Sequence, residues 1–111
     1  MKITSLTNLP QQQVSHNPEI TKKVMLANQD LPHLTNFSQA TFAPGQIAAA
    51  HAHQDMYEVF FVSAGRGIMQ VDQKKYDLTP GVCIAVETGE THEVINTGTE
   101  NLVLTYFGIK A

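Results

Sequence analysis

From residue 34 onward the chain alternates short apolar runs with turn-forming residues. The runs 56–63 (MYEVFFVS), 82–87 (VCIAVE), 91–97 (THEVINT) and 101–109 (NLVLTYFGI) are rich in β-branched and aromatic side chains. Such residues suit a pleated, half-buried surface. Gly45, Gly65, Gly67, Gly81, Gly89 and Gly98, with Pro44 and Pro80, punctuate them. Short strands at this spacing predict an all-β sandwich or barrel. No stretch sustains the period of a long amphipathic helix.

A period of two also assigns faces. Glu58, Phe60 and Val62 share one side of their strand, and His92, Val94 and Asn96 share one side of theirs. On the last strand either Leu102, Leu104 and Tyr106 or Val103, Thr105 and Phe107 face inward; the first set is expected inside. Before Pro44, the set Ser38, Ala40 and Phe42 is placed inside, because its small members leave room for a cavity. Pro44-Gly45 and Pro80-Gly81 read as turns with positive φ at glycine. Residues 1–20 are polar and read as an N-terminal arm, with residues 21–111 as one barrel domain. Asn17-Pro18-Glu19 is compatible with a helix start. Lys22 to Ala27, however, lacks a helical period and is read as a strand whose edge is free to pair with a second copy.

Composition narrows the function classes. The chain has 111 residues, one domain's worth, with 42% hydrophobic and 15% charged residues. So few charges argue against disorder. Net charge is −3 and no basic run exceeds Lys22-Lys23 or Lys74-Lys75, so nucleic acid is not an expected partner. Cys83 is the only cysteine, which excludes an intramolecular disulfide. No apolar run approaches the ~20 residues of a membrane span, and the expected location is the cytoplasm. The only arginine, Arg66, falls in a turn next to Gly65. That scarcity of fixed cations favours a small, modestly charged ligand.

Chemistry concentrates in His51, His53, Glu58 and His92. On a strand, His51 and His53 point to one face and can converge on one ion. A turn at Gln54-Asp55-Met56 would bring Glu58 back over them, and His92 must be delivered by the fold. A His-x-His pair alone is common on protein surfaces. Glu58, however, lies on the inward face with Phe60 and Val62, and a buried carboxylate needs a partner. Imidazole and carboxylate together suit a divalent Fe, Mn, Ni, Zn, Cu or Co ion.

The stretch Gly45-x5-His51-x-His53-x4-Glu58-x6-Gly65 resembles the first motif of the cupin family at every fixed position. The stretch Gly81-x5-Glu87-x-Gly89-x2-His92-x3-Asn96 resembles the second, separated by the 15 residues Arg66 to Pro80. The departure is Glu87, where the family usually has proline. The resemblance implies a jelly-roll-like antiparallel double sheet closed into a cupin barrel. It also implies one divalent metal on His51, His53, Glu58 and His92, near one end. Four such ligands leave about two octahedral positions for a small-molecule ligand. Phe60 and Tyr106 are expected beside it, Tyr106 as a hydrogen-bond donor or as packing alone, with Gln70 and Asn96 as the alternative polar groups. Asn96 reads equally as a loop-holding residue of the barrel mouth or as the turn Asn96-Thr97-Gly98. The expected function is a metal-dependent enzyme of dioxygenase or isomerase/lyase type; the alternative is a non-catalytic metal- or ligand-sensing module. A homodimer is expected.

Overall fold

The computed structural model describes residues 1–111 and contains ten strands. These are β1 (Gln12–Val14), β2 (Asn17–Leu26), β3 (Leu34–Phe42), β4 (Ile47–His51) and β5 (Met56–Ala64). They continue with β6 (Gly67–Val71), β7 (Lys74–Leu78), β8 (Cys83–Val86), β9 (His92–Ile95) and β10 (Leu102–Lys110). One sheet runs β1-β2-β3-β10-β5-β8 and the other β4-β9-β6-β7. Every pairing is antiparallel. The only helical piece is one 3-10 turn, Leu6–Asn8, and no helix is long and apolar enough to cross a membrane.

The inward rows are those the alternation predicts. Ser38, Ala40 and Phe42, then Phe60 and Val62, Val94 and Asn96, and Leu102 and Leu104 are all buried. Together with Ile20, Met69, Leu78 and Val86 their apolar members form the core between the sheets. Register shows how this core leads to the polar end. Along β10, Leu102 pairs with Phe42, Tyr106 pairs with both Ser38 and Phe60, and Gly108 pairs with Glu58. One end of the barrel is therefore filled with hydrocarbon, and the other carries the titratable side chains. Gly108 sits where the chains crowd: a Cβ there would collide with the Thr35 hydroxyl.

Two local expectations need correction. Asn17-Pro18-Glu19 opens no helix; it begins β2. Pro18 is the second residue of β2 and has no register partner in β1 or β3, so its missing N–H is tolerated. Residues 12–20 do not trail away as an arm either. β1 and the start of β2 form a hairpin, and Ile20 is fully buried. The hairpin is stapled across the gap between sheets: Asn17 Nδ2 donates to Ile47 O at 2.9 Å, and Gln46 Nε2 donates to Glu19 O at 3.2 Å. Lys22 is thus paired on both sides, with Gln12 and Ala40. Beyond Lys22, β2 pairs with β3 alone.

Candidate metal centre

Glu58 is delivered by plain alternation on β5, a strand held between β10 and β8. His92 opens β9 and is 2% exposed. His51 reaches the same point by an irregularity. Ala48 pairs with Val94 and His51 with His92, so β4 spends three steps where β9 spends two. This extra residue is a β-bulge, which re-aims the side chains that follow it. Without it, the inward parity set by buried Ala48 would turn His51 outward. His53 is not on the strand at all, contrary to the expected pairing of the two imidazoles on one strand face. β4 ends at His51, and His53 lies in the connection to β5. The Gly89 N–H donates to the His53 carbonyl at 2.8 Å and holds that connection in place.

The four ligand atoms lie within 4.8 Å of one another. Atoms bound to one ion at about 2.0–2.2 Å sit no more than about 4.4 Å apart, so a small inward adjustment closes the set. Glu58 Oε1 is 3.1 Å from His53 Nε2 and 3.3 Å from His92 Nε2. Despite this proximity, Glu58 Oε1 and His92 Nε2 are buried without a hydrogen-bond partner. Buried polar atoms left unpaired are costly. A cation among them satisfies all of them together, so the donor set fits a divalent transition metal.

The far ring nitrogens support this arrangement. His51 Nδ1 is 2.8 Å from Ala49 O, and His92 Nδ1 is 3.3 Å from Glu90 O. A backbone carbonyl fixes the proton on Nδ1 and leaves the Nε2 lone pair for a metal. Burial pushes His51 below the ordinary imidazole range, against the upward pull of the Ala49 carbonyl. His92, His16 and His53 add to the lowering. A neutral imidazole is the form that ligates.

A cavity of about 110 Å³ opens beside the cluster and is lined by His51, His53, His92, Phe60 and Tyr106, among others. The Phe60 and Tyr106 rings stack with centroids 5.3 Å apart. Burial, then the nearby Glu58 carboxylate, push the Tyr106 phenol up to about 12, against the lowering effect of the nearby Ser38 hydroxyl. Tyr106 therefore keeps its proton at neutral pH.

Gln70 and Asn96 are not brought to this cavity. Gln70 follows buried Met69 on β6, and its amide donates to Asp72 O at 3.3 Å. Asn96 is buried at the hydrocarbon-filled end of the barrel, donating to Phe42 O and Glu100 O and accepting from Gly98 N–H. It ties β3 to the β9–β10 connection.

The N-terminal hairpin contributes residues that the sequence analysis did not single out. Val14, Ser15, His16 and Lys22 line the cavity. The His16 ring stacks on His51 with centroids 3.7 Å apart and planes 19° from parallel. Burial, then His53 and His92, lower its pKa. Face-on stacking makes it a wall, and it stands outside the four-residue ligand group. The available signal was parity: Lys22 shares a strand face with Ile20 and Val24.

The turn at Glu87 explains how this chain manages without the usual proline. Glu90 Oε1 accepts from the Glu87 N–H at 2.8 Å, and the Glu90 N–H donates to Glu87 O at 3.2 Å. Gly89 takes φ of 79° within it. A proline at 87 could not donate the first of these bonds.

The Cupin domain profile matches residues 38–108. Among curated proteins, the oxalate-binding protein of Thermotoga maritima is 26% identical over 66 residues, 60% of this chain and 54% of that one. An uncharacterized protein of Methanocaldococcus jannaschii is 25% identical over 63 residues, 57% of this chain and 50% of that one. The matched stretches thus span about half the length of these relatives. Three solved structures share the fold. A predicted oxalate decarboxylase from Thermotoga maritima superposes with a TM-score of 0.90 at 19% identity, covering 100% of both chains. KdgF from a Halomonas species gives 0.83 at 19% identity, covering 100% of this chain and 96% of that one. The polyketide cyclase RemF from Streptomyces resistomycificus gives 0.82 at 17% identity, covering 99% and 79%.

Proposed function

The chain belongs to the cupin domain family, and from that premise we propose that it is a metal-dependent protein acting on a small oxygen-bearing anion held at His51, His53, Glu58 and His92. The observation that carries this reading is the pair of unpartnered buried atoms, Glu58 Oε1 and His92 Nε2, in a cluster that borders a cavity. A divalent transition metal there supplies a Lewis acid or, when redox-active, a centre for dioxygen chemistry. Three neutral imidazoles and one carboxylate leave the centre with a net charge of about +1, which attracts an anion. Four protein ligands also leave about two positions of an octahedron for it.

The chain's own groups do the rest. Tyr106 keeps its proton and can donate to an oxygen of the bound anion. Phe60, Phe42 and Leu104 line the cavity with hydrocarbon, which excludes water and strengthens the field of the centre. Dioxygenase-like and isomerase- or lyase-like chemistry are both within reach of such a centre. The name of the Thermotoga oxalate-binding protein supports a second reading, a module that binds its ligand without changing it. With either reading we propose a cytoplasmic homodimer. The exposed Tyr57, Phe61 and Ile109 on the outer face of β5 and β10 support the dimer. A monomer by light scattering at high micromolar concentration would refute it.

Elemental analysis of protein purified without a metal-affinity tag tests the centre. About one transition-metal ion per chain is expected, and His92→Ala should lose most of it while remaining folded. Full occupancy in that variant refutes the assignment. Carbon-13 NMR of labelled oxalate then separates the two readings. Conversion to formate and carbon dioxide marks a lyase; saturable binding of unchanged oxalate marks a binding module.

A further inference from the structure

We infer that Lys22 is a specificity-determining residue of the cavity: its ammonium selects ligands that carry a second negative charge at the end remote from the metal centre. The inference rests on the metal-site reading above and adds to it the chemical class of the ligand, a small dianion.

Lys22 belongs to an inward-facing row. It pairs with Ala40, which is 3% exposed, and it lies two residues from fully buried Ile20 on the same strand face. Its neighbour Lys23 behaves differently, pointing away and donating to Leu6 O at 2.7 Å. Lys22 lines the cavity together with His51, His53 and Tyr106. It has no anionic partner in the chain, whose only ion pairs are those of Glu58 with His53 and His92. Lys22 is half-buried, and a charge drawn from water is costly to hold without a counter-ion. A metal centre of about +1 facing the same space adds repulsion. A ligand with two negative charges relieves both, one at the centre and one at Lys22.

The position of the lysine is held firmly. β2 is bonded to β1 and β3, and Asn17 and Gln46 clamp the hairpin to β4. The cavity volume of about 110 Å³ is well below the roughly 300–1,000 Å³ of pockets for drug-sized ligands. The cavity therefore admits a ligand of a few heavy atoms, and both the His cluster and Lys22 line the space it would fill. The scarcity of arginine suggested a modestly charged ligand; a lysine from the N-terminal hairpin supplies the cation that the motif region lacks.

Oxalate and oxamate make the test, because they are nearly isosteric and differ by one negative charge. Protein loaded with cobalt(II) is titrated with each anion and followed by the cobalt d–d absorption, with cobalt content measured separately. Lys22→Met should hold cobalt at the wild-type stoichiometry. It should weaken oxalate about tenfold, the loss expected for one partly screened charge pair, and leave oxamate within about twofold. Lys22→Gln, a second neutral variant, should repeat this if methionine disturbs the strand, and Lys22→Arg should stay near wild type. Cobalt uptake with equal weakening of both anions, or with no weakening of oxalate, overturns the role of Lys22 alone. Wild-type protein that takes up no cobalt overturns the metal-site reading and this inference with it.

Discussion

At the scale of single residues, Tyr106 and Asn96 show how one residue pattern leads to different jobs. Both lie on inward rows, but only Tyr106 reaches the cavity. Its phenol is pushed up to about 12, above the ordinary value near 10. The folded protein thus holds this proton more tightly than the unfolded chain does. The associated stability is fully present below pH 10 and is lost as the pH rises from 10 to 12. Urea denaturation of metal-free protein should show the wild type losing its advantage over Tyr106→Phe across that window. A difference that stays flat with pH contradicts it. The same variant should retain metal and bind the anion less well. Asn96 makes three hydrogen bonds in a buried setting. Asn96→Ala should therefore cost about 2–3 kcal/mol in denaturant unfolding while metal content per folded chain is unchanged. Loss of metal from a stable Asn96→Ala protein would return this residue to the site.

Among the elements, the site depends on departures from regular strands. The β4 bulge turns His51 inward, and the turn at 87–90 carries both Gly89, which grips His53, and the Glu90 carbonyl beside His92. The Glu90 carboxylate braces that turn through the Glu87 N–H. Glu90→Ala should lower stability by about 1 kcal/mol and weaken metal binding by up to about tenfold, as expected for a group that orients ligands. Glu87→Pro loses the same bond but gains a fixed φ, so its stability should stay within about 1 kcal/mol of wild type. Isothermal titration with manganese(II) and denaturant curves measure both effects. Equal metal affinity in Glu90→Ala and wild type would show that the turn holds without its brace.

For the whole molecule, metal, barrel and N-terminal hairpin should behave as one unit. The ligands come from β4, the loop after it, β5 and β9, so an ion there joins both sheets. Binding to the folded state alone stabilises by about 2.7 kcal/mol at a hundredfold excess over Kd. For a domain of this size the melting midpoint should rise by on the order of 10 °C. Differential scanning fluorimetry with manganese(II), before and after chelator, measures it. His92→Ala should show almost no shift, and a shift equal to wild type would place the ion elsewhere.

Much of this protein is legible in its sequence, because a strand's side chains alternate with a period of two and the inward set must be apolar or paired. That rule was enough for the inward faces of β3, β5, β9 and β10, and for Glu58 and His92. The spacing of His51, His53, Glu58 and His92 with their glycines singled out the four residues that the fold gathers into one cluster able to hold a metal. Tertiary structure decided what alternation cannot express. A bulge re-aimed His51, and a backbone bond from Gly89 positioned His53 off the strand. A polar N-terminal segment proved to be a hairpin whose His16 and Lys22 close the cavity. Asn96 was drawn to the opposite end of the barrel from the site. The physical reason is range: alternation is set by the local backbone, whereas bulges, sheet-to-sheet staples and the partners of a buried polar group depend on segments that are distant in sequence and meet only when the barrel closes.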